Sequence, residues 1–286
     1  MKLSMQTGSM PKNFGERITI EKIAKAGFDT IDYTMNDYEN RAVFCEEYIS
    51  CAEKLKSTAE NLGCSFNQVH APFPSAEVGR DEFNEIAFQK LKRSIEFAGI
   101  LGAKQIIVHP VTFINDHQKT LEYNIEFYKK LEDTACRANI KIALENMFWC
   151  DEKAGTIRPG ACGNAEWFCE LYDKLNPENF TCCLDIGHCG LVGERAHHMI
   201  NSLGHKRLGA LHVHDNDFKD DRHTLPFTGS IDFKEVAKAL SNINYKGDFT
   251  FECAPFLSGF PTDLYDDALK LVFCVGKKLI SMIENQ

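Results

Sequence analysis

The stretch FTCCLDIGH at residues 180–188 is a short apolar run that ends in a carboxylate and an imidazole. Its length and its β-branched and aromatic residues are typical of a buried strand over Phe180–Asp185. The stretch KIALEN at 141–146 has the same form and predicts a strand over Lys141–Glu145. Buried strands that close on polar residues are typical of a parallel sheet whose carboxyl edge carries the chemistry.

Runs of this kind recur along the whole chain and alternate with stretches of helical periodicity. The predicted strands are Leu3–Gln6, Thr30–Tyr33, Ser65–His70, Ile106–His109, Lys141–Glu145, Phe180–Asp185, Leu208–His214 and Phe249–Glu252. The predicted helices are Ile18–Ala26, Ala42–Leu62, Glu82–Leu101, Lys119–Ala138, Ala165–Leu175, Ala196–Leu203, Phe233–Ile243 and Leu264–Ile283. Gly27, Gly63 and Gly102 follow three of these helices, where a left-handed cap suits a residue without Cβ. Eight strand–helix units predict an α/β fold, a single (β/α)8 TIM barrel.

The main structural alternative is an open, doubly wound sheet, which alternates strands and helices in the same way. Its dinucleotide-binding form carries G-x-G-x-x-G after the first strand, where this chain has MQTGSM at 5–10. The P-loop pattern G-x-x-x-x-G-K-[ST] is also absent from the sequence. No composition break or linker divides the chain, so residues 1–286 are predicted to form one domain.

The composition narrows the class of partners. The chain has 286 residues, 32 basic and 41 acidic, for a net charge of −9, and 44% of its residues are hydrophobic. An acidic balance disfavours a large nucleic-acid interface, and no apolar run reaches the roughly 20 residues of a membrane helix. The 12 cysteines include no C-x-x-C pair. With no apolar leader at the start, they are expected to be reduced thiols in a cytoplasmic protein.

Polar residues stand at the carboxyl ends of six consecutive predicted strands. They are His70, His109, Glu145, Asp185, the pair His212 and His214, and Glu252. In a parallel barrel these ends converge on one rim, where carboxylates would oppose one another's ionisation unless a cation joined them. One histidine in such a place is more often a hydrogen-bonded wall residue than a ligand, but the whole set predicts a divalent metal site.

Two positions stay open on the residues alone. His212 and His214 are two apart on one strand and point the same way, so alternation cannot choose between them. The loop DFKDDRH at 217–223 is charged and is compatible with an ordinary solvated loop. Its Asp221 and His223 could equally bend onto the rim and act as ligands.

These strand-end motifs, above all LEN at 144–146 and LDIGH at 184–188, resemble those of the xylose-isomerase-like TIM-barrel superfamily. That superfamily contains sugar-phosphate isomerases and epimerases, and also the endonuclease IV type of DNA-repair nuclease. The resemblance spans the chain from Leu3 through the last helix. It therefore implies a complete barrel with a metal site at its mouth.

The resemblance also implies residue roles. The core metal ligands fall on Glu145, Asp185, His212 and Glu252. His212 is preferred because His212-x-x-Asp215 fits the family pattern H-x-x-[DE], although His214 with Asp217 has the same spacing. His188 matches a residue that binds substrate in the epimerases and metal in the nucleases. The additional ligands of the nuclease branch fall on His70, His109, His188, Asp221 and His223.

The implied activity is a metal-dependent isomerisation or epimerisation of a sugar or sugar phosphate. One to three divalent ions (Zn, Mn, Mg or Co) polarise a carbonyl, Glu145 and Glu252 move the adjacent proton, and His188 binds the substrate with His70 and His109. Phe218 stands near the position where ketose 3-epimerases carry an arginine, which argues against that subgroup. Phe227-Thr228-Gly229 replaces a Gly-acid-Gly pattern, which weakens any phosphate site there.

Two further classes remain. The same ligands permit a zinc-cluster phosphodiesterase resembling endonuclease IV and acting on abasic DNA, although the acidic charge favours a small sugar as the partner. A barrel that binds metal or sugar without turnover is also compatible with the residues. The sequence shows no apolar helix face beyond those that the barrel itself would bury, so it predicts no oligomeric state.

Overall fold

The structure is a computed structural model that describes residues 1–35 and 42–286. Its strands are β1 (Leu3–Gln6), β2 (Thr30–Thr34), β3 (Ser65–His70), β4 (Gln105–Ile107), β5 (Lys141–Glu145), β6 (Phe148–Asp151), β7 (Thr156–Pro159), β8 (Phe180–Asp185), β9 (Leu208–His212) and β10 (Phe249–Phe251). Its α-helices are α1 (Met10–Ala26), α2 (Tyr48–Asn61), α3 (Asp81–Leu101), α4 (His117–Ala138), α5 (Ala165–Tyr172), α6 (Ile186–Leu191), α7 (Ala196–Arg207), α8 (Phe233–Asn242), α9 (Ala254–Ser258) and α10 (Tyr265–Glu284).

Eight of the strands form one parallel sheet in the order β10-β1-β2-β3-β4-β5-β8-β9. The two ends of this order meet through a parallel bridge between Val213 and Phe251. Val213 N–H donates to the Thr250 carbonyl at 2.9 Å, and Glu252 N–H donates to the Val213 carbonyl at 3.0 Å. The sheet is therefore curled into a nearly closed barrel surrounded by helices, which confirms the predicted (β/α)8 TIM barrel.

The predicted elements are all present, but several bounds differ. Three strands end before the predicted residue: at Ile107 rather than His109, at His212 rather than His214, and at Phe251 rather than Glu252. His109, His214 and Glu252 therefore lie just beyond their strands. The helix predicted over 42–62 is divided into a 3₁₀ turn at Ala42–Phe44 and α2. The first helix begins at Met10 rather than Ile18, with a break at Gly15, where φ is 73°.

The short helices α6 and α9 and one hairpin were not predicted. Strands β6 and β7 pair antiparallel as a separate hairpin after β5, with Trp149 opposite Arg158. The residues between Glu145 and Ala165 carry no predicted element, because a hairpin of one short strand pair has little periodicity to detect. This hairpin stands beside the mouth of the barrel and shapes the surface there, as described below.

Local sequence explains where the helices begin and end. The Asp116 side chain accepts a hydrogen bond from Lys119 N–H at 3.0 Å and caps α4, and Asp232 does the same for α8. Gly27 and Gly102 follow α1 and α3 with φ of 109° and 80°, a region that residues with a Cβ rarely adopt. These glycines confirm the helix ends read from the sequence.

The apolar core lies mainly between the outer face of the barrel and the helices. A second, smaller cluster consists of Ile107, Ala143, Cys183 and Ala210, on the four adjacent strands β4, β5, β8 and β9. Among the described residues, every helix is too short or too polar to cross a lipid bilayer. All twelve cysteines are outside disulfide bonds.

Candidate metal centre

Four polar side chains face the inside of the barrel because side chains alternate along each strand. Side chains two residues apart on a strand point to the same face. Advancing by two residues from Ile107, Ala143, Cys183 and Ala210 gives the next set toward the carboxyl ends. That set is His109, Glu145, Asp185 and His212. The small apolar cluster therefore lies one step below a layer of charged and imidazole side chains, all of them buried.

Four side chains form a core group. One ligand atom from each of Glu145, Asp185, His212 and Glu252 lies within 4.8 Å of the others. His212 Nδ1 is 2.7 Å from Glu145 Oε1 and 3.1 Å from Glu252 Oε2. All four are at most 6% exposed. The structure thus brings together the four residues that the resemblance implied as metal ligands.

A second group borders the first on the β3–β4 side. His70, His109 and Glu145 also have ligand atoms within 4.8 Å of one another. His109 Nε2 lies 3.0 Å from Glu145 Oε2, and His70 Nε2 lies 3.0 Å from His109 Nε2. The His70 ring stacks on the His212 ring with centroids 4.9 Å apart. Glu145 is shared, so the two groups form one continuous cluster.

A third group lies on the opposite side and includes the loop after β9. It consists of His188, His214, Asp221 and His223. Asp221 Oδ2 is 2.9 Å from His223 Nε2 and 3.5 Å from His188 Nε2. The loop at 217–223 therefore does bend onto the rim with Asp221 and His223, one of the two possibilities left open by the sequence. His188 donates from Nδ1 to the Asn146 carbonyl at 2.8 Å, which leaves its Nε2 facing the site.

The two histidines after Ala210 occupy different groups. His212 lies among the three carboxylates of the core group, and Asp32 Oδ2 is 3.4 Å from its Nε2. His214 instead directs Nε2 at both oxygens of Asp185, at 3.0 and 3.1 Å. A Cβ on residue 187 would be 2.0 Å from the His214 ring, so Gly187 of the LDIGH motif makes room for that ring.

The pKa values of the carboxyl groups diverge. Burial raises the pKa of Glu252 to about 8, against the opposing influence of His212 and His223. Burial acts on Glu145 and Asp185 as well, but the neighbouring histidines outweigh it and hold the pKa of both carboxyl groups below its ordinary value. Like charges in this volume cannot all be ionised together unless a cation joins them.

His223 is held in its charged form. Its Nδ1 lies 2.9 Å from the Glu252 carbonyl oxygen, and its Nε2 lies 2.9 Å from Asp221 Oδ2. Both neighbours accept hydrogen bonds, so both nitrogens carry hydrogen. Burial lowers the pKa of His223, but the hydrogen bond to Asp221 and the charge of Glu252 outweigh this and raise it to about 9.

The donor set fits a divalent metal ion. His109 Nδ1, His214 Nδ1 and Asp221 Oδ1 are buried without a hydrogen-bond partner among the described residues. Leaving such atoms unpaired costs about 1–3 kcal/mol each, a cost that a ligand would offset. Carboxylate oxygens and imidazole nitrogens are ligands for Zn²⁺, Mn²⁺, Mg²⁺ and Co²⁺. The core group would hold one ion, and the two bordering groups offer donors for others.

Three residues of the cluster were not foreseen. Gln6 donates to Glu252 Oε1 at 2.6 Å, and its Nε2 also lies 3.1 Å from His70 Nδ1. Asp32 faces His212, and Asn146 joins β5 to β8 by pairing with the backbone of Asp185 on both sides. Gln6 and Asp32 lie on predicted strands at inward-facing positions, so the alternation used for the other strands would have revealed them.

The surface beside the site is aromatic. The Phe73 ring lies 4.8 Å from the His109 ring, and the Phe148 ring of β6 lies 5.0 Å from the His188 ring, both centroid to centroid. Phe73 and Phe148, with Met147 and Trp149, line a cavity of about 350 Å³. The mouth of the barrel therefore combines a buried ionic cluster with an apolar wall.

A family model described as Xylose isomerase-like TIM barrel matches residues 20–272 of the sequence. The chain belongs to this family. Uncharacterized protein y4fM of Sinorhizobium fredii is 24% identical to this xylose isomerase-like chain over 266 residues, which cover 83% of the chain and 81% of the relative. The resemblance read from the strand-end motifs is confirmed.

Solved structures share the fold of this xylose isomerase-like barrel over its whole length. A D-tagatose 3-epimerase-like protein superposes with a TM-score of 0.76 at 20% identity, covering 100% of this chain and 99% of that one. The IOLI protein, solved with a bound zinc atom, superposes with a TM-score of 0.73 at 18% identity, covering 100% and 99%. At these identities the likeness establishes the fold.

Proposed function

We propose that the chain is a divalent-metal-dependent sugar isomerase or epimerase. The observation that carries the proposal is the buried group of Glu145, Asp185, His212 and Glu252, whose ligand atoms converge at the mouth of the barrel. Active sites of TIM barrels lie at this end of the strands. Proteins of the same fold include an epimerase-like protein and one solved with zinc, which supports the proposal.

Each residue has a role in this proposal. Glu145, Asp185, His212 and Glu252 would hold the ion. Its positive charge would polarise a sugar carbonyl and make the neighbouring C–H more acidic. Glu145 and Glu252 lie on either side of His212 Nδ1, at 2.7 and 3.1 Å. One carboxylate takes the proton and the other, or the same one, returns it.

The bordering histidines bind the substrate in this scheme. His188 presents Nε2 to the mouth because its Nδ1 is held by the Asn146 carbonyl. His70 and His109 lie on the other side of the core group. Phe218 occupies the neighbourhood where the ketose 3-epimerases carry an arginine and packs over Gly190. The proposal therefore specifies proton transfer beside a sugar carbonyl, and Phe218 in place of that arginine disfavours the ketose 3-epimerase subgroup.

Deuterium exchange tests the proposed reaction. The protein is loaded with Zn²⁺, Mn²⁺, Mg²⁺ or Co²⁺ and incubated in heavy water with a panel of ketoses and aldoses, free and phosphorylated. Deuterium entering a carbon-bound position, detected by NMR and absent with Glu145→Gln, is the expected result. If no sugar in the panel takes up carbon-bound deuterium with any of the four metals, the proposal is contradicted.

A zinc-cluster phosphodiesterase is the second candidate, and one observation favours it. The groups His70–His109–Glu145 and His188–His214–Asp221–His223 flank the core group, as three metal ions would require. DNA binding also needs phosphate contacts from Lys and Arg. Arg222 forms an ion pair with Asp217 at 2.9 Å, so its guanidinium is less available to bind a DNA phosphate. About three zinc ions per chain and nicking of an abasic duplex would favour this candidate.

We also propose a setting for the protein. Residues 1–286 act as one domain, a small sugar is the partner, and nucleic acid and membranes are not bound. The free state of all twelve cysteines supports a reducing compartment such as the cytoplasm. Size-exclusion chromatography with light scattering tests the domain and oligomeric state, and fractionation tests the location.

A further inference from the structure

A cleft on the outer side of the β6–β7 hairpin is distinct from the metal centre. It has a volume of about 400 Å³ and lies between the hairpin, the segment after β4 and the starts of α4 and α5. Its walls carry Trp149 and Trp167, the two tryptophans of the sequence. The volume is within the roughly 300–1,000 Å³ typical of small-molecule sites.

One wall of the cleft is a rigid aromatic surface. The His117 ring stacks on the Trp167 ring, with centroids 4.3 Å apart and planes 15° from parallel. His117 Nε2 lies 2.8 Å from Glu170 Oε2, which fixes the ring on the other edge. Both aromatic rings are partly exposed and line the cleft. A flat, fixed aromatic wall of this kind is suited to the face of a ring-shaped ligand.

The facing wall supplies polar groups. Trp149 and Arg158 are cross-strand partners on the hairpin, and both line the cleft. The Arg158 guanidinium is exposed and has neither an ion pair nor a side-chain hydrogen bond among the residues that the structure describes. Asp151 lines the same wall, so an anionic ligand would meet a carboxylate as well as a guanidinium. The combination favours a neutral ligand with several hydroxyl groups.

The cleft adjoins a smaller cavity that lies beside the metal centre. Thr112 and Trp149 line both the cleft and the smaller cavity beside the mouth. The other side of that cavity is formed by Phe73 and Phe148, whose rings contact His109 and His188. The cleft is therefore separated from the histidines of the metal centre by one cavity and its aromatic wall, a position suited to a second part of a ligand that reacts at the metal centre.

We propose that the cleft is a second sugar subsite, so that the substrate is a glycoside of at least two rings. The first ring reacts at the metal centre, and the second lies against the Trp167–His117 stack and accepts hydrogen bonds from Arg158. This inference rests on the proposed function for the identity of the first ring. The cleft, its aromatic wall and its free guanidinium are independent of that reaction.

The two tryptophans serve as reporters of the subsite. Their fluorescence is titrated with cellobiose, lactose, maltose and sucrose, and with glucose, galactose and fructose as the component monosaccharides, using metal-loaded protein. We expect a saturable change in tryptophan fluorescence with at least one disaccharide. Its half-saturation concentration should be at least about tenfold below that of its component monosaccharides. Trp149→Phe and Trp167→Phe each leave one reporter and show which wall responds.

Arg158→Ala supplies the discriminating variant, and Lys153→Ala is its matched control. Both remove one exposed cation from the same hairpin, but Lys153 does not line the cleft. Arg158→Ala is expected to weaken disaccharide binding about tenfold and leave monosaccharide binding unchanged, since hydrogen bonds from charged donors contribute this much. Lys153→Ala is expected to change neither. Equal effects of the two variants would overturn the proposal.

The remaining outcomes separate the two proposals. Deuterium exchange into monosaccharides without any saturable fluorescence response to the disaccharide panel would overturn the subsite and leave the proposed reaction standing. A disaccharide response that depends on Arg158, without exchange into any sugar, would support the subsite and contradict the proposed reaction. An absence of any saturable response overturns the subsite whatever the exchange experiment gives.

Discussion

Two polar layers inside the barrel have similar burial and opposite chemistry. In the lower layer, Ser4 donates to Asn67 Oδ1 at 2.8 Å, Asn67 donates to Thr250 Oγ1 at 3.0 Å, and Thr250 donates to Gln68 Oε1 at 3.3 Å. These groups are neutral and serve as one another's partners. In the upper layer, charged groups converge, and His109 Nδ1 and His214 Nδ1 are left without a hydrogen-bond partner among the described residues.

The difference separates structure from function. Neutral hydroxyl and amide groups in a sealed interior form a closed network that stabilises the fold. Convergent carboxylates oppose one another and cost stability until a cation arrives. Asp32 lies at the boundary, because its Oδ2 accepts from Gln68 at 3.1 Å and lies 3.4 Å from His212. We therefore expect substitutions above this boundary to affect metal and activity, and those below it to affect stability.

The most severe test neutralises one carboxylate of the upper layer. Glu145→Gln keeps the shape of the side chain but removes a ligand charge and a base, so deuterium exchange should fall about 10²–10⁴-fold. The metal-free variant should melt below the metal-free wild type near neutral pH, because His212 and His109, at 2.7 and 3.0 Å, hold the pKa of Glu145 below its ordinary value and the charged carboxylate therefore stabilises the fold. Exchange is followed by NMR and melting by calorimetry. Near-normal exchange would remove the functional distinction between the layers.

The choice between the two histidines after Ala210 is the next test. His212→Ala should lower metal affinity more than about 100-fold, beyond the loss typical of a residue that only orients a ligand. His214→Ala should lower it less, because His214 contacts only Asp185 of the core group. Metal content after purification and affinity by titration calorimetry measure both variants. The reverse order would assign the ligand role to His214.

A smaller effect is expected at the boundary between the layers. Asp32→Asn keeps the side-chain volume but removes the charge that faces His212 Nε2, so the imidazole is held less firmly. Metal affinity should fall about 10–100-fold, as for other residues that orient a ligand. Asp248→Asn, a partly buried aspartate outside the site, is the matched control and should leave the affinity unchanged. Equal affinities for both variants would exclude a positioning role for Asp32.

Much of this arrangement could be predicted from sequence because it depends on strand alternation. Glu145, Asp185 and Glu252 follow apolar runs, and a parallel barrel gathers such residues without knowledge of any loop. Asp221 and His223 could not be decided, since their position depends on how the loop after β9 folds back. The hairpin with Trp149 and Arg158 was missed for a related reason: it is stabilised by its position beside the barrel rather than by a strong local pattern.

The smallest effect on function should come from the lower layer, where Asn67→Ala removes the two side-chain hydrogen bonds of this residue. Ser4 and Thr250 would each lose the hydrogen bond that Asn67 provides in a buried environment, so the free energy of unfolding should fall by about 1–3 kcal/mol. Metal affinity and exchange should be unchanged, because the altered groups lie below Asp32. Asn201→Ala, exposed on α7, should change stability by less than about 0.5 kcal/mol. Denaturant titration measures both variants, and a loss of metal binding in Asn67→Ala would show that the two layers act as one network.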